Sequence, residues 1–237
     1  MSSEQGSALA RRGRGRPPGT TAQGAISRER LYSTATALIS EAGYEAATLR
    51  ELGKRAGASP GLVYRYFPSK RSIVLELYDR LSTTFVERMA VAHPGSWRER
   101  FLHALEVSLS VQAPSRDVLK ALLPVLVSGS SDGLFSDRTS FSRLRVQRAF
   151  VEGVLGARDA PPLDVAQALG RLLYLCHLGV VLWWLLDRSP GQRATAGLVA
   201  LTRAVLPGAA VALRVGRIRR FVVTADRHLR DALLGDE

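Results

Sequence analysis

The chain has 237 residues, of which 46% are hydrophobic, so it is long enough for one or two compact domains with a real core. Its formal net charge is +12, from 33 basic residues (thirty of them arginine) and 21 acidic residues. The single Cys176 excludes an intrachain disulfide, and no secretory signal is visible, so we expect a cytoplasmic protein. The most apolar segment, 172–186, is 15 residues long, whereas a bilayer span needs roughly 20.

The positive charge is concentrated near the N-terminus, where residues 1–72 hold twelve Lys or Arg and five Asp or Glu. This favours a polyanionic partner, nucleic acid first and an acidic membrane surface second. Residues 1–24, rich in Arg, Gly, Ser and Pro, predict a disordered arm. Its Arg14 and Arg16 form an Arg-Gly-Arg-Pro core that resembles the AT-hook of the A·T minor groove. The alternative is a solvated basic tail with salt-sensitive, sequence-independent affinity.

The first periodic segment predicts a helix over residues 27–42, ended by Gly43. Ser27 is its expected N-cap, and Ile26 with Leu31 is expected to form a hydrophobic staple.

Residues 48–70 predict two short helices joined by a tight turn. Thr48 and Glu51 have the spacing of a capping box, and Gly57 can take the left-handed conformation that ends a helix. The second helix has an N-cap, a first-turn proline and a terminating proline, namely Ser59, Pro60 and Pro68. Two such helices form a helix-turn-helix, whose second helix can enter the major groove of DNA.

The remainder of the chain shows helical periodicity without strand signals, so the predicted fold class is all-α. A fourth helix over about 69–90 connects the helix-turn-helix to the rest. Further helices are predicted near 96–112, 115–128, 139–157, 163–187, 191–206 and 209–233. We divide the chain into an arm (1–24), a helix-turn-helix domain (25–72) and a helical domain (73–234).

The helix-turn-helix motif runs from Thr48 through Ala56-Gly57-Ala58-Ser59 to Val63-Tyr64-Arg65-Tyr66-Phe67-Pro68-Ser69-Lys70. In this pattern it resembles the N-terminal domain of TetR-family (tetracycline-repressor-like) transcriptional regulators, over residues 27–81. Leu52-Gly53 stands where that family usually has Ile/Val-Ala, and Tyr66 stands where His is common. The resemblance implies an N-terminal three-helix DNA-binding domain and a C-terminal helical domain for ligand binding and dimerisation. It also implies a regulator, most often a repressor.

The resemblance assigns DNA contacts to both helices of the motif. Thr48, Tyr64 and Lys70 are expected to contact phosphates, which orient the protein without reading sequence. The candidates for base edges are Ser59, Pro60, Gly61, Leu62 and Arg65, with Tyr66 at a position of frequent backbone contact. Arg65 is the best candidate for guanine, through paired bonds to O6 and N7.

Other residues of the motif are expected to pack or to remain solvated. Val63 and Phe67, at i and i+4, should face the core, and Gly53 should let the two helices approach closely. The basic residues of the first helix of the motif are either a solvated face or include a phosphate contact: Arg50, Lys54 and Arg55.

The resemblance further implies a homodimer on a palindromic operator, formed through two long helices, here 163–187 and 191–206. Their broad apolar faces fit a second subunit or an intrachain core. A cavity for a small hydrophobic effector is also implied. The candidate lining residues are Phe101, His103, Phe141, Gln147, Tyr174, His177 and Trp183, with Trp97, Phe135 and Trp184 also able to contribute. Each of them taken singly could equally be core.

Enzyme chemistry, metal and cofactors are not expected. Cys176 and His177 are neighbours on a helix and point about 100° apart, so they cannot readily form a nucleophile–base pair, and we expect Cys176 to be buried. The four histidines lack metal-ligand spacing. Two other classes stay open: a constitutive architectural DNA-binding protein that relies on the arm, and a helical enzyme or lipid carrier that merely contains a helical hairpin.

Overall fold

The structure, a computed structural model, describes residues 22–91, 94–128 and 133–234, which are largely helical and contain no strand. In chain order the helices are α1 (Ala22–Ala42), α2 (Leu49–Ala56), α3 (Pro60–Tyr66), α4 (Lys70–Met89), α5 (Trp97–Gln112), α6 (Arg116–Ala121), α7 (Leu123–Leu126), α8 (Ser140–Leu155), α9 (Leu163–Leu186), α10 (Arg193–Ala212) and α11 (Gly216–Leu229). The predicted all-α fold class is confirmed.

Helix α1 begins earlier than predicted. It starts at Ala22, so residues 22–24 of the predicted arm belong to the helix. The expected N-cap and staple are wrong, because Ser27 lies inside the helix and donates to the carbonyl oxygen of Gln23 at 2.8 Å, and because Ile26 is 62% exposed. The i−4 carbonyl satisfies the serine hydroxyl and removes its need to cap.

Two further helix predictions are wrong in ways that proline explains. The predicted helix 115–128 is divided into α6 and α7, with Pro124 in the first turn of α7, where its missing N–H is tolerated. Pro207 was expected to end a helix, but α10 continues through it to Ala212. Proline has no N–H group, so one carbonyl oxygen in the preceding turn of the helix lacks its usual hydrogen bond. Because Pro207 is exposed, water can donate to that oxygen instead. The last predicted helix is α11 followed by a π-helical turn, Arg230–Leu234.

Two buried apolar clusters organise the chain. The first joins α1–α4 to α6 and to the C-terminal end of α9, and includes Leu31, Leu52, Val63, Phe67, Leu119 and Trp184. The second lies among α4, α5, α8, α9, α10 and α11, and includes Phe85, Phe101, Phe150, Tyr174, Leu206 and Val222. Because α4 contributes to both clusters, it connects the helix-turn-helix to the C-terminal helices by direct packing.

Ion pairs fasten α4 to α1. The carboxylate of Glu76 accepts two N–H groups from Arg28, one of them at 2.7 Å, and two from Arg80, one of them at 2.9 Å. Arg80 also pairs with Glu29 at 2.7 Å. The side chain of Glu76 is only 10% exposed, so this network is screened less by water than a surface pair.

A second arginine fastens α4 to α8. Arg145 donates to the Asp79 carboxylate at 2.7 Å, to the Ser82 hydroxyl at 2.8 Å and to the Thr83 hydroxyl at 2.7 Å. Movement of α8 is therefore transmitted to α4.

Helices α8 and α9 pack with their backbones unusually close. A Cβ added at Gly170 of α9 would lie 2.5 Å from the Cα and 3.0 Å from the backbone nitrogen of Val151 in α8. Only glycine permits this approach, since real Cβ atoms essentially never lie so close to backbone atoms.

We expect Gly170→Ala to lower the free energy of unfolding by about 1–3 kcal/mol, because α8 and α9 must separate to admit the methyl group. Urea unfolding followed by circular dichroism measures this. The control is Gly153→Ala in α8, where an added Cβ meets nothing within 4 Å and helix propensity should raise stability by up to about 1 kcal/mol. Equal stability of Gly170→Ala and wild type would refute the close approach.

Candidate nucleic-acid interface and ligand cavity

The helix-turn-helix is shaped by local hydrogen bonds, in which the predicted N-caps of α2 and α3, Thr48 and Ser59, are confirmed. Thr48 Oγ1 accepts from the Glu51 N–H at 3.1 Å, and Ser59 Oγ accepts from the Leu62 N–H at 3.3 Å. Gly57 ends α2 with a φ of 59°, the left-handed region that favours glycine. These caps fix the direction in which α3 leaves the turn.

The inner face of α3 is anchored in the core. Val63 and Phe67 are buried, which confirms the prediction for both. A Cβ added at Gly53 would lie 3.1 Å from the Ala58 carbonyl oxygen and 3.3 Å from Val63 Cγ2, which confirms the expected close approach of α2 and α3.

The outer face of α3 is open. Tyr64 is 56% exposed and Arg65 is exposed, with its guanidinium 5.8 Å from the centre of the Tyr66 ring. An added Cβ at Gly61 would meet nothing within 4 Å. The other predicted base-reading residues lie on or beside this face, with Ser59 and Pro60 exposed and Leu62 and Tyr66 half-buried.

Lys70 has a contact that sequence reasoning missed. Its ammonium donates to the Tyr44 carbonyl at 2.5 Å and to the Glu45 carbonyl at 3.3 Å, and it lies 4.1 Å from the centre of the Tyr44 ring. Lys70 therefore ties the first turn of α4 to the loop between α1 and α2. No sequence signal indicates such a long-range lysine–carbonyl contact.

The basic residues of α2 differ in their surroundings. Arg55 pairs with Glu41 of α1 through two hydrogen bonds, one at 2.7 Å, whereas Arg50 and Lys54 are exposed. The predicted minor-groove residues Arg14 and Arg16 lie outside the described residues.

The C-terminal helices enclose a cavity of about 560 Å³, a volume typical of sites for drug-sized molecules. Leu229 of α11 and Leu233 of the π-helical turn also reach its lining. Most of the lining is apolar and comes from α4 to α9, including Leu81, Phe85, Val111, Leu119, Leu123, Leu126, Phe135, Val146, Leu178 and Leu182.

Of the predicted pocket residues, Tyr174 and His177 line this cavity, together with Phe135. The prediction is wrong for Phe101, His103, Phe141, Gln147 and Trp183, which are absent from the cavity lining, and also for Trp97 and Trp184, which are buried in the two cores. Phe101 packs edge-on against Phe150 in the second core, with ring centres 6.1 Å apart. Trp183 is 49% exposed because it lies six residues from His177, about 240° around α9.

The polar groups of the cavity were mostly missed. Ser108 Oγ lies 2.6 Å from His177 Nε2, and Gln112 donates to Ser108 Oγ at 2.8 Å. Ser108 and Gln112 are four residues apart on α5, a spacing that could have identified them as neighbours on one face. Arg143 of α8 also lines the cavity and is 4% exposed. No sequence signal distinguishes Arg143 from Arg145, two residues later, because only the rotation of α8 about its axis decides which of the two side chains faces the cavity.

Burial controls the ionisation of the cavity groups. It lowers the pKa of His177 to about 4, so the imidazole is neutral at pH 7. It also raises the pKa of Tyr174, while the Arg143 guanidinium acts in the opposite direction. Arg143 is therefore the one charged side chain among the described lining residues at neutral pH.

Cys176 is exposed, so the prediction that it is buried is wrong. Its neighbour His177 is 4% exposed, as expected for adjacent residues pointing to different sides of a helix. Within residues 22–91, 94–128 and 133–234, no group of three or more His, Cys, Asp or Glu could hold a metal ion.

Helices α9 and α10 carry a broad exposed apolar surface. On each helix the residues of this surface follow one another at intervals of four and three residues in turn. They are residues 172, 176, 179, 183 and 186 of α9 and residues 197, 201, 204, 208 and 211 of α10. It includes Trp183, Leu186, Leu201 and Val211, each at least 49% exposed.

Both helices of this surface are long and apolar enough to cross a membrane by length and composition alone. The apolar window of the segment Leu163–Leu186 is 50% buried in the fold, and that of Pro190–Ala212 is 11% buried. The apolar segment of 15 residues identified in the sequence is therefore only part of a helix of 24 residues, Leu163–Leu186.

Helix α11 is docked onto α9 by a buried ion pair. Arg171 makes two hydrogen bonds of 2.7 Å to the carboxylate of Asp226, which is 3% exposed. This pair holds the C-terminal end of the described chain against the cavity wall.

Comparison with known proteins agrees with this geometry. Residues 31–77 match the family model for bacterial regulatory proteins of the tetR family. The HTH-type transcriptional regulator HbdR of Aromatoleum sp. is 32% identical over 118 residues, which are 47% of each chain. The HTH-type transcriptional repressor KstR of Rhodococcus jostii is 40% identical over 53 residues, 22% of this chain and 25% of that protein. The chain thus spans about half or less of the curated relatives that it matches.

Solved structures resemble a larger part of the chain. A TetR transcriptional regulator from Nitrosomonas europaea has a TM-score of 0.56 at 18% identity, covering 76% of this chain and 97% of that one. A tetR-family transcriptional regulator from Streptomyces coelicolor has a TM-score of 0.57 at 21% identity, covering 88% and 98%. Fold and site define a class: helical proteins that join a helix-turn-helix domain to a cavity-bearing helical domain. Within this class, the helix-turn-helix segment matches the tetR family, and the resemblance noted in its residues is confirmed.

His177 should make stability depend on pH. Its folded pKa of about 4 lies below the ordinary value of 6.5, so the unfolded state binds more protons between these pH values. We expect the free energy of unfolding to fall by about 3 kcal/mol through this one group as pH drops from 6.5 to 4. Unfolding of His177→Gln across this range should show a shallower loss. The exposed His228→Gln is the control, and an unchanged profile in His177→Gln would contradict the assignment.

Proposed function

We propose that this chain is a sequence-specific DNA-binding transcriptional regulator, a repressor that acts in the cytoplasm. It binds a palindromic operator as a homodimer and is released by a small hydrophobic ligand. The observation that carries the proposal is α3, which buries Val63 and Phe67 and leaves its outer face open within a domain that matches the tetR family.

The proposed DNA contacts follow from the donors that remain available. Arg65 is exposed and can bind guanine through two parallel hydrogen bonds. The Thr48 hydroxyl accepts from the backbone, so its own hydrogen is available to a phosphate, and Tyr64 offers a second exposed hydroxyl. Lys70 has three N–H donors, of which the loop carbonyls occupy two.

The remaining base-edge candidates are those at the start of α3, namely Ser59, Pro60, Gly61 and Leu62, with Tyr66 beside them. On α2, Arg50 and Lys54 are better placed for phosphates than Arg55, whose guanidinium is held by Glu41. Arg14 and Arg16 would add contacts in the minor groove.

A homodimer is supported by the exposed surface of α9 and α10. Four helices, two from each copy, can pack with the alternating three- and four-residue spacing that both helices show. The 11% burial of the apolar window of Pro190–Ala212 is too low for a core helix, so a second copy is the proposed cover. Two copies of α3 would then read two half-sites of a palindrome, about one helical turn of DNA apart.

Release by a ligand is supported by the position of α4. This helix lines the cavity with Tyr78 and Phe85 and is joined to α1 through Glu76. A ligand that favours a different position of α4 would change the separation of the two α3 helices. The size of the effect is limited by the ligand's preference between the two states.

A constitutive architectural role would leave both the cavity and the exposed α9–α10 surface without use. Such a protein would depend on its arm and would show little sequence preference.

We expect Arg65→Ala to weaken binding to a selected operator by about 1–3 kcal/mol and to relax preference at one base position, because only the base contact is lost. Operators selected from a random pool and measured by fluorescence anisotropy provide the comparison. Tyr64→Phe is the control, because loss of a phosphate contact should weaken all sequences alike.

Equal losses of Arg65→Ala on operator and random DNA would remove this residue from sequence recognition. Removing residues 1–21, which precede α1, should weaken binding but keep the footprint. Loss of nearly all binding would favour the architectural role.

We expect Leu201→Glu to convert the dimer to monomers, because Leu201 is 61% exposed in one copy and the proposed interface would bury the new charge. Sedimentation velocity measures the change, and operator binding should fall with it. Val91→Glu, at another exposed apolar position away from this surface, is the matched control. A Leu201→Glu protein that remains dimeric would rule out this interface.

A further inference from the structure

We propose that residues 226–233 are a gate that must move away from α9 before a ligand enters or leaves the cavity. These residues, called the gate below, form the end of α11 and most of the π-helical turn that follows it. The inference rests on the proposed function, since it takes the cavity to be the site of the effector. The gate would control how fast the effector is exchanged, whereas the rest of the lining determines how tightly it is held.

The gate contributes two leucines to the cavity lining. Leu229 is the last residue of α11 and Leu233 lies in the π-helical turn, and both line the cavity. Leu233 is also 38% exposed, so it lies at the edge of the cavity. Asp231 and Ala232, which precede it, are exposed as well. Movement of this turn would therefore open the cavity to solvent.

A buried ion-pair network holds the gate against α9. The Asp226 carboxylate accepts the two hydrogen bonds of 2.7 Å from Arg171, and it also pairs at 3.4 Å with Arg230, the first residue of the π-helical turn. The side chain of Asp226 is 4% exposed, so water screens this attraction little. Asp226 is not among the described residues that line the cavity. A change there can therefore release the gate without removing a contact to the ligand.

Local structure makes the gate easier to move than the first half of α11. That half is held by Val222, which is buried in the second core, and by Arg219, whose Nε donates to the Leu213 carbonyl at 2.7 Å. Residues 227–233 are all exposed or half-buried, and they end in a π-helical turn, a rare conformation that is frequent at functional sites. Segments with few buried contacts open at low free energy, so the hinge is expected just after Val222.

A gate has a kinetic signature that a purely structural helix lacks. Entry and exit both require the open state, so a change that weakens the closed gate accelerates association and dissociation together. The equilibrium constant stays nearly the same, because the contacts of the bound ligand are unchanged. A helix that only supports the cavity wall would alter affinity or stability without this paired effect on the two rates.

Stopped-flow fluorescence measures both rates on the full chain without DNA. The probe is Nile red, a neutral dye that brightens in apolar surroundings, and an excess of neutral lipid vesicles takes up the dye as it dissociates. We expect Asp226→Asn to raise both rate constants by about 10- to 100-fold, as loss of charge-assisted hydrogen bonds implies, and to leave Kd within about threefold. Glu106→Gln, which breaks an exposed ion pair with Arg203, is the matched control and should behave as wild type.

Leu233→Ala tests the gate without touching the ion pair. It should also accelerate both steps, because a smaller side chain leaves the edge of the cavity open, and it should raise Kd by no more than about tenfold. Phe135→Ala is its control, because Phe135 lines the cavity with the same 38% exposure but lies outside the gate. Loss of that contact should raise the dissociation rate and leave the association rate unchanged.

Hydrogen exchange shows whether the fold survives the loss of the ion pair. Asp226→Asn should speed amide exchange in residues 226–233 and leave α8 and α9 protected. If this variant does not fold, Leu233→Ala still decides the proposal, since it keeps the pair of Asp226 with Arg171.

The proposal is overturned if the dye does not bind, if the folded gate variants leave the association rate unchanged, or if Phe135→Ala accelerates association as much as Leu233→Ala. A separate titration, in which the dye competes with labelled operator, tests the proposed function. If the gate variants exchange dye faster but the dye does not release DNA, the gate stands and the release mechanism fails. If DNA is not bound at all, the regulator proposal fails while the dye kinetics still decide the role of the gate.

Discussion

The structure depends on how helix α4 is held between its two neighbours. On one side the buried Glu76 carboxylate joins it to α1 through Arg28, and on the other side Arg145 joins it to α8. Both joints are charge-assisted and partly shielded from water, so they define distances more strictly than apolar packing alone. A helix fixed in this way cannot move at its cavity end without moving at its helix-turn-helix end.

Helix α4 therefore connects two possible binding sites, the outer face of α3 and the cavity among the C-terminal helices. The outer face of α3 is open to solvent, whereas the cavity among the C-terminal helices is lined mostly by apolar side chains. Nucleic acid at α3 and a ligand in the cavity would compete for no common surface, so any influence of one on the other must pass through a change of conformation. The free energy of that coupling would be equal in both directions, because binding equilibria are linked.

Local chemistry explains which features were predictable from the sequence. The caps Thr48, Gly57 and Ser59 and the i, i+4 pair Val63 and Phe67 involve residues close in the chain, and the structure confirms them. The lining of the cavity depends on the rotation of each long helix about its axis. Apolar residues surround much of α9, so periodicity could not decide whether Trp183 or Tyr174 points inward, and only Tyr174 does.

The sequence by itself determined the all-α class, the helix-turn-helix and its resemblance to the TetR family, because these follow from helical period and from capping within a few residues. Tertiary structure alone decided that Arg143 lines the cavity while Arg145 donates to Asp79 of α4, and that Lys70 binds the loop at Tyr44. Two arginines on one helix have different roles because the rotation of the helix about its axis decides what each side chain contacts. That rotation is set by contacts between residues far apart in the chain.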